Sequence, residues 1–382
     1  MSQNRIPLAL SQLTKEWLQE ALGDQLNGSI IQELSTQIIG VGEGFMGQLA
    51  RIKLTFAGDS EVKPDSFIIK FAAARQDTRD MAADRNLYKR EIGFYRDIGE
   101  KSGVSIAKCH FAHYDEQSNQ FVLLIEDLAP GEPSDQIHGT DRETSEQVIT
   151  EFAKLHAKWW NSKELESLDW AKWQITEMPK EKSIEMFKIG YEEAKRTGKF
   201  EAYPEMNRLM EFLPPLLKFD PAPPFPFSLT HGDLRSDNVI RPTKEGGRFA
   251  IIDWQISGIG DPISDIAYWM ILSLSIEERR STEKHLLNLY HETLLECGVK
   301  GYGHKKFINA YRTNIAVIQL MFSMPIDQID QSSDRAKELF HQFYSRIDAA
   351  LVDWEMEKLL RSLPYIYPFI KLVLIVRKAL GI

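Results

Sequence analysis

The sequence predicts an α+β fold, in which a small strand-rich region is followed by a larger region of long helices. Three observations support this prediction: period-two alternation of apolar residues early in the chain, helical spacing of apolar residues beyond Pro130, and a length of 382 residues. Single hydrophobic cores usually stop growing at roughly 250–300 residues, so two lobes are expected. We place an N-terminal lobe at 1–125, a hinge at 126–131 and a C-terminal lobe at 132–382.

The N-terminal lobe is predicted to contain a small antiparallel sheet and one clear helix. Leu49–Phe56 alternates apolar and polar residues, and Ser66–Phe71 is a second strand, so the two form a hairpin with a long loop. Arg85–Ile98 has helical spacing, and Phe121–Ile125 is an apolar run of strand length.

The C-terminal lobe is predicted to be mainly helical. Amphipathic patterns predict long helices at 144–160, 182–197, 276–297, 307–321 and 334–360. Two short strand signals interrupt these helices, at 228–230 and 249–252.

Composition excludes several classes of protein. The formal net charge is −9 and no long basic run occurs, so a nucleic-acid binder is not expected. The two cysteines, Cys109 and Cys297, lie far apart, which argues against a disulfide scaffold or a cysteine zinc site and suits a reducing compartment. The first ten residues lack the apolar core of a secretory signal, so a cytoplasmic location is expected.

No membrane span is expected from the most apolar stretch, Tyr365–Ile375. The stretch is short and contains Pro368 and Lys371, whereas a spanning helix needs about 20 apolar residues. We interpret it as a buried C-terminal helix, and a membrane-surface segment is the alternative.

Gly42, Gly44 and Gly47 form a G-x-G-x-x-G pattern. A dinucleotide-binding loop with this pattern must open a helix, but the residues after Gly47 alternate as a strand. This context favours a hairpin loop over a triphosphate, and Leu49 takes the apolar position that ends the longer kinase pattern. A glycine-rich turn without function is the alternative. Gly23 and Gly28 have the glycine spacing of a Walker A loop, but Ser29 follows where that loop needs a lysine.

Lys70 ends an apolar strand downstream of the glycine loop. This position suits a lysine that binds the α- and β-phosphates, with Glu91 on the next helix as its acidic partner. A surface lysine with a buried stem is the alternative. Glu126 to Leu128 follow the last apolar strand of the lobe and are expected to form the hinge whose backbone meets the adenine edge.

The strongest pattern consists of three polar side chains beside two short apolar strands. Asp233 and Asn238 follow the first strand, and Asp253 follows the second, with the spacing of a kinase catalytic loop and metal-binding aspartate. Asp233 can orient a hydroxyl and accept its proton, and the other two side chains are oxygen ligands suited to Mg²⁺. The alternative is a polar turn with His231 as a buried, hydrogen-bonded histidine.

These segments, taken in order, resemble the aminoglycoside phosphotransferase and choline kinase superfamily, and within it the ecdysteroid-kinase-like branch. The helix segment Leu155–Trp159 and the segment Gly260–Ala267 also resemble motifs of this superfamily, and the resemblance spans Gly40–Tyr268. It implies a bilobal, protein-kinase-like fold. It also implies that Asp261 and Asp265 cap a helix and brace the catalytic loop.

The resemblance further implies a role for each candidate residue. Asp233 is the catalytic base, Asn238 and Asp253 are the metal ligands, Lys70 is the phosphate lysine and Glu91 is its partner. The implied cofactors are ATP and Mg²⁺. The chain departs from many relatives in its richer glycine loop and in the bulky Trp254 beside the metal aspartate, which is expected to reshape the pocket.

The expected acceptor is a hydroxyl group of a small molecule rather than of a protein. Gly232 replaces the arginine of the protein-kinase loop, and no Ala-Pro-Glu segment follows Asp253. Steroid-like, aminoglycoside-like and amino-alcohol acceptors stay open, and only the branch resemblance favours the first. The rival interpretations are a nucleotide-binding regulator without activity on the same fold and a dinucleotide-dependent oxidoreductase.

Overall fold

The computed structural model describes residues 6–39, 47–57, 64–172, 180–214, 216–218, 226–324 and 333–362. The chain forms two compact units. The first runs to Pro133 and also contains Asn238–Ser257, and the second contains Ser134–Asp237 and the residues from Gly258 onwards. A distant segment of sequence therefore returns to the N-terminal unit, and the predicted division at 126–131 stays a prediction.

The elements of both units follow in chain order. The strands are β1 (Ile31–Ile39), β2 (Gly47–Phe56), β3 (Ser66–Ala72), β4 (Cys109–Asp115), β5 (Gln120–Glu126), β6 (Glu132–Pro133), β7 (Ser228–Thr230), β8 (Val239–Arg241), β9 (Ala250–Ile251) and β10 (Gly258–Gly260). The helices are α1 (Lys15–Leu22), α2 (Gln76–Asp84), α3 (Leu87–Gly93), α4 (Arg142–Lys158), α5 (Lys163–Ser167), α6 (Lys180–Thr197), α7 (Pro204–Leu209), α8 (Pro262–Leu272), α9 (Ile276–Glu296), α10 (His304–Ser323) and α11 (Asp334–Asp353).

The first unit is built on an antiparallel sheet with the strand order β1-β2-β3-β5-β4. Its hairpin β2–β3 and its strand β5 confirm the sequence prediction. The strands β1 and β4 were not predicted. Most side chains of β1 are exposed and polar, because it lies at the edge of the sheet, so the alternation that reveals a half-buried strand is weak there.

One face of the sheet is covered by α1. Trp17, Leu18 and Leu22 of this helix belong to a buried cluster with the alternate residues of β2, β3 and β5, such as Ile52 and Ile69. Because side chains alternate across a strand, Lys70 on β3 points to the opposite face of the sheet from Ile69. This alternation of side chains places the apolar core of the unit on one face of the sheet and Lys70, a candidate functional residue, on the other.

The helix predicted at Arg85–Ile98 is present with small differences. It starts at Leu87 as α3 and continues as a wider helical turn over Phe94–Ile98. The preceding helix α2 was not predicted, and Asn86 separates the two helices with a left-handed φ of 53°. The segment that returns to this unit contributes β8 and β9 to a small sheet of order β6-β8-β9.

The second unit is mainly helical, which confirms the predicted α+β class. Within it α4 packs on α9, and α8 packs on α10. The five long helices predicted from amphipathic spacing are present, although the last is interrupted by a turn at 354–355, after which the chain is helical again over 356–362. Glu355, with a φ of 47°, lies in this turn.

Within the described ranges, no helix is both long and apolar enough to cross a membrane. The apolar stretch Tyr365–Ile375 lies outside the described residues.

Candidate active site

The first unit brings three of the predicted site residues together. The Lys70 ammonium lies 2.9 Å from the Glu91 carboxylate and 3.0 Å from Oδ1 of Asp253. Lys70 comes from β3, Glu91 from α3, and Asp253 from the loop after β9. Residues separated by as many as 183 positions thus form one ion-paired cluster.

Burial and charge act against each other in this cluster. Burial lowers the pKa of the Lys70 ammonium, but the carboxylates of Asp253 and Glu91 outweigh burial, so the pKa lies above its ordinary value. Burial also raises the pKa of the Glu91 carboxyl, against the attraction of Lys70. At neutral pH one charged ammonium is therefore shared by two carboxyl groups. The second oxygen of Asp253, Oδ2, accepts a hydrogen bond of 3.3 Å from Gln255.

The backbone and its neighbours fix the position of Asp253. The residue has a left-handed φ of 64°, a conformation that aspartate and asparagine tolerate better than most residues. Trp254 is fully buried and stacks on Phe94, with ring centroids 3.9 Å apart and an interplanar angle of 4°. The Trp254 side chain thus lies in the core of the unit, instead of reshaping a pocket beside Asp253 as expected. Arg90 of α3 donates a hydrogen bond of 2.7 Å to the Ser257 carbonyl and holds the end of the same loop.

Asn238 lies beside Asp253 in the same unit. The register of β8 and β9 pairs Val239 with Ile251, and the amide of Ile252 donates a hydrogen bond of 3.0 Å to the Asn238 carbonyl. The two paired strands therefore place Asn238 and Asp253 at the same end of a short hairpin. An amide oxygen and a carboxylate are a suitable protein contribution to Mg²⁺, which usually keeps water and phosphate oxygens as its other ligands.

Gly47 is the one described member of the glycine pattern. It opens β2, where an added Cβ would lie 2.5 Å from the Phe71 carbonyl and 3.7 Å from Cε of Lys70. A side chain at this position would collide with the backbone of β3, so glycine is required. Gly42 and Gly44 lie outside the described residues.

The predicted hinge is tied to the rest of the first unit by Glu126. Its amide donates to the Lys108 carbonyl at 2.9 Å, and its carboxylate accepts from Arg248, with 3.0 Å to Nε. Burial raises the pKa of the Glu126 carboxyl, but the bonds from Arg248 and the Lys108 amide lower it more. The Leu128 carbonyl accepts a hydrogen bond of 2.8 Å from Gly131. The Glu126 side chain is therefore engaged within the protein, and an adenine contact by this segment would use backbone groups.

The loop that carries Asp233 belongs to the second unit and is braced by Asp265. The Asp265 carboxylate, which is buried, accepts hydrogen bonds from the backbone amides of His231 at 2.8 Å and Gly232 at 2.9 Å. Gly232 has a φ of 83°, which a residue with a Cβ rarely adopts, so glycine allows this turn. The Asp233 amide donates to Nδ1 of His231 at 3.2 Å. This loop is thus fixed from within the helical unit.

Further buried groups support Asp265. Nε2 of His156 lies 3.4 Å from Oδ2 of Asp265, and Nδ1 of the same ring hydrogen-bonds the Tyr290 hydroxyl at 2.8 Å. Asp261 caps α8 by accepting a hydrogen bond of 2.9 Å from the Ile263 amide. These contacts confirm the capping and bracing roles that the resemblance implied for the two aspartates.

Asp265→Asn is expected to destabilise the protein. An asparagine at this buried position replaces one carboxylate oxygen by an NH₂ group that faces a backbone N–H donor. The expected loss is about 3 kcal/mol of the free energy of unfolding, or a fall of roughly 5 °C in the melting temperature. Thermal unfolding of the full chain measures it. The control is Asp334→Asn, the same change on an exposed carboxylate of the second unit. Equal melting temperatures for the two variants would contradict the bracing role.

Two further side chains contact the Asp233 carboxylate. Nε of Arg235 lies 3.2 Å from Oδ2 of Asp233, and the Tyr268 hydroxyl also hydrogen-bonds this carboxylate. Burial and the charge of Asp233 raise the pKa of Tyr268 above its ordinary value. The sequence prediction assigned no role to Tyr268 or to Arg235. The sequence feature that could have identified Arg235 is its position, a positively charged residue two positions after the predicted base.

Comparisons with known proteins agree with this arrangement. A family model described as "Ecdysteroid kinase-like family" matches residues 41–300. A solved structure of a Ralstonia eutropha protein assigned as an aminoglycoside phosphotransferase aligns with a TM-score of 0.50 and 18% identity, covering 90% of this chain and 98% of that chain. A choline/ethanolamine kinase family protein from Mesorhizobium loti gives a TM-score of 0.47 and 16% identity, covering 86% and 92%. The family model confirms the predicted ecdysteroid-kinase-like branch, and the likeness to the first of these solved structures confirms the bilobal kinase-like fold.

Similar curated proteins are longer than the matched region. "Acyl-CoA dehydrogenase family member 10" of Mus musculus is 36% identical over 73 residues, which are 19% of this chain and 6% of that protein. "Uncharacterized oxidoreductase dhs-27" of Caenorhabditis elegans is 23% identical over 348 residues, covering 81% of this chain and 41% of that protein. The chain therefore spans less than half the length of these curated relatives.

Proposed function

Because the chain belongs to the ecdysteroid kinase-like family, we propose that it transfers the γ-phosphoryl group of ATP to a hydroxyl group of a small molecule. The observation that carries the proposal is the position of the Lys70 ammonium, 2.9 Å from Glu91 and 3.0 Å from Asp253. Protein kinases need this combination of a strand lysine, a helix glutamate and a metal-binding aspartate for phosphoryl transfer.

In this proposal the first unit binds the nucleotide. Lys70 binds the α- and β-phosphates, Glu91 orients Lys70, and Asn238 and Asp253 hold Mg²⁺ through their side-chain oxygens. The bound metal supplies positive charge to the phosphate oxygens. Backbone groups of the glycine loop at Gly42, Gly44 and Gly47 bind the phosphates, and backbone groups of Glu126 and Leu128 bind the adenine.

The second unit supplies the base. Asp233 orients the acceptor hydroxyl and accepts its proton as the oxygen–phosphorus bond forms. The bond between phosphorus and the β–γ bridging oxygen breaks at the same time, and its electron pair leaves with ADP. Asp265 holds the two backbone amides before Asp233 and thereby fixes the direction of the base. Most of the rate enhancement then comes from positioning and charge neutralisation.

The acceptor belongs to one of three proposed classes: steroid-like alcohols, aminoglycosides or amino alcohols. The description of the family supports the first of these. The small cysteine content and the wide spacing of Cys109 and Cys297 support a cytoplasmic location as part of the same proposal.

A transfer screen tests the proposal. The full chain is incubated with ATP and Mg²⁺ and with sterols, aminoglycosides, amino alcohols or sugars, and both ADP release and the mass of a phosphorylated acceptor are measured. We expect one acceptor class to gain a phosphoryl group in a Mg²⁺-dependent reaction, with chelator-treated samples as the control. Tight, Mg²⁺-dependent ATP binding without turnover on any acceptor would instead support a nucleotide-binding regulator. Tight NAD binding without Mg²⁺ would support an oxidoreductase.

A further inference from the structure

We propose that Arg235 is a catalytic residue whose guanidinium group binds the phosphoryl group during transfer and neutralises its charge. This inference rests on the proposed function and adds a cationic group to the catalytic loop.

The structure places the Arg235 guanidinium between two carboxylates. Nε lies 3.2 Å from Oδ2 of Asp233, and Nη1 lies 2.9 Å from Oδ2 of Asp237. Asp237 is itself fixed, because its other oxygen accepts a hydrogen bond of 3.1 Å from the Gln136 amide. The two carboxylates raise the pKa of Arg235 above its ordinary value. The Arg235 side chain is 26% exposed, so a ligand can reach it.

The chemistry at Asp233 brings the phosphoryl group to this cation. An acceptor hydroxyl that gives its proton to Asp233 lies within about 3 Å of the carboxylate. Its oxygen attacks from about 3–3.5 Å, so the phosphorus lies within roughly 6 Å of Asp233. Arg235 touches that carboxylate already, and its planar fork of N–H donors suits phosphoryl oxygens.

A purely bracing role for Arg235 explains less. Asp265 holds the loop at residues 231 and 232. The Ser236 amide donates to Oγ of Ser273 at 3.0 Å, and the Ser236 hydroxyl donates to Oε1 of Gln136 at 2.6 Å. Partly exposed ion pairs such as those of Arg235 contribute only about 0–1 kcal/mol to stability. Because buried contacts already fix the loop, an arginine at this position is better explained by a ligand.

In the transfer step Arg235 exchanges one partner for another. The acceptor oxygen forms its bond to phosphorus, the proton moves to Asp233, and ADP leaves with the electron pair of the broken bond. Arg235 transfers no proton. Its contact passes from Asp233 to the phosphoryl oxygens, and Oδ2 of Asp233 becomes accessible to the acceptor hydroxyl.

Binding of a transition-state mimic tests this inference without depending on turnover. The affinities of Mg²⁺ with ADP and aluminium fluoride, and of Mg²⁺ with a non-hydrolysable ATP analogue, are measured for the wild type and Arg235→Gln. We expect Arg235→Gln to weaken binding of the mimic about 100-fold, which is about 2.7 kcal/mol, and to change analogue binding less than about threefold. Transfer to the acceptor found in the screen should fall about 10³-fold.

Two variants serve as comparisons. Arg235→Lys keeps the charge but loses the fork of donors, so its affinity for the mimic should lie between those of the other two proteins. Arg335→Gln removes an exposed arginine of the same unit and should leave both affinities unchanged.

Several outcomes would overturn the inference. The inference is wrong if Arg235→Gln binds the mimic with the wild-type affinity. In that case the proposed function would still hold, provided that the wild type transfers phosphate. An equal loss of both affinities together with a large fall in melting temperature would assign Arg235 a structural role. A wild type that binds neither ATP nor the mimic would instead contradict the proposed function itself.

Discussion

Asp233→Asn is expected to abolish phosphoryl transfer while Mg²⁺-dependent ATP binding stays close to the wild-type affinity. Asparagine has nearly the same shape and can still accept the hydrogen bonds that Arg235 and Tyr268 donate to Asp233. It cannot accept the proton of the acceptor hydroxyl. General-base catalysis contributes about 10²–10⁴-fold to enzymatic rates, so we expect kcat to fall about 10³-fold. ADP release with the acceptor from the screen gives kcat, and a binding titration gives the ATP affinity.

The exposed-site variant Asp334→Asn is the matched control for this experiment, since it carries the same chemical change away from the loop. Its kcat and melting temperature should equal those of the wild type. If Asp233→Asn retains more than about a tenth of wild-type kcat, Asp233 is not the base.

Asp253→Asn is expected to remove the Mg²⁺-dependent part of ATP binding. The left-handed φ of 64° at this position suits asparagine as well as aspartate, so the backbone should be undisturbed. The substitution removes the negative charge that is proposed to hold Mg²⁺ and one of the two carboxylate partners of Lys70. We expect ATP affinity in Mg²⁺ to fall about 100-fold, which corresponds to about 2.7 kcal/mol. Affinity measured in a chelator should change little, because Lys70 keeps its contact with Glu91.

Titrations of ATP with Mg²⁺ and with a chelator provide this comparison. Asp80→Asn, on the exposed face of α2 in the same unit, is the control and should bind ATP as the wild type does. A wild-type response to Mg²⁺ in Asp253→Asn would mean that the metal is held elsewhere. A fall in ATP affinity both with Mg²⁺ and with the chelator would indicate that Asp253 acts mainly on Lys70.

Local patterns in the sequence determined much of the first unit. The alternation over Leu49–Phe56 and Ser66–Phe71 identified two strands, because one face of each strand is buried and the other is not. The same alternation placed Lys70 on the face of its strand that points away from the core. The segment Asp233–Asn238 was recognisable because its spacing is short and its residue types are typical of a kinase catalytic loop.

The tertiary structure decided which distant groups meet. No local pattern indicated that Trp254 stacks on Phe94, or that Asn238–Ser257 belongs with the N-terminal unit. The contacts of Tyr268 and Arg235 with Asp233 were likewise not predicted. Sequence periodicity reports burial along one element. These contacts depend instead on how separate elements pack, and on the need of buried charged groups to find a partner of opposite charge. For that reason the sequence alone identified the types of reactive group, and only the packed structure showed the partners that hold them.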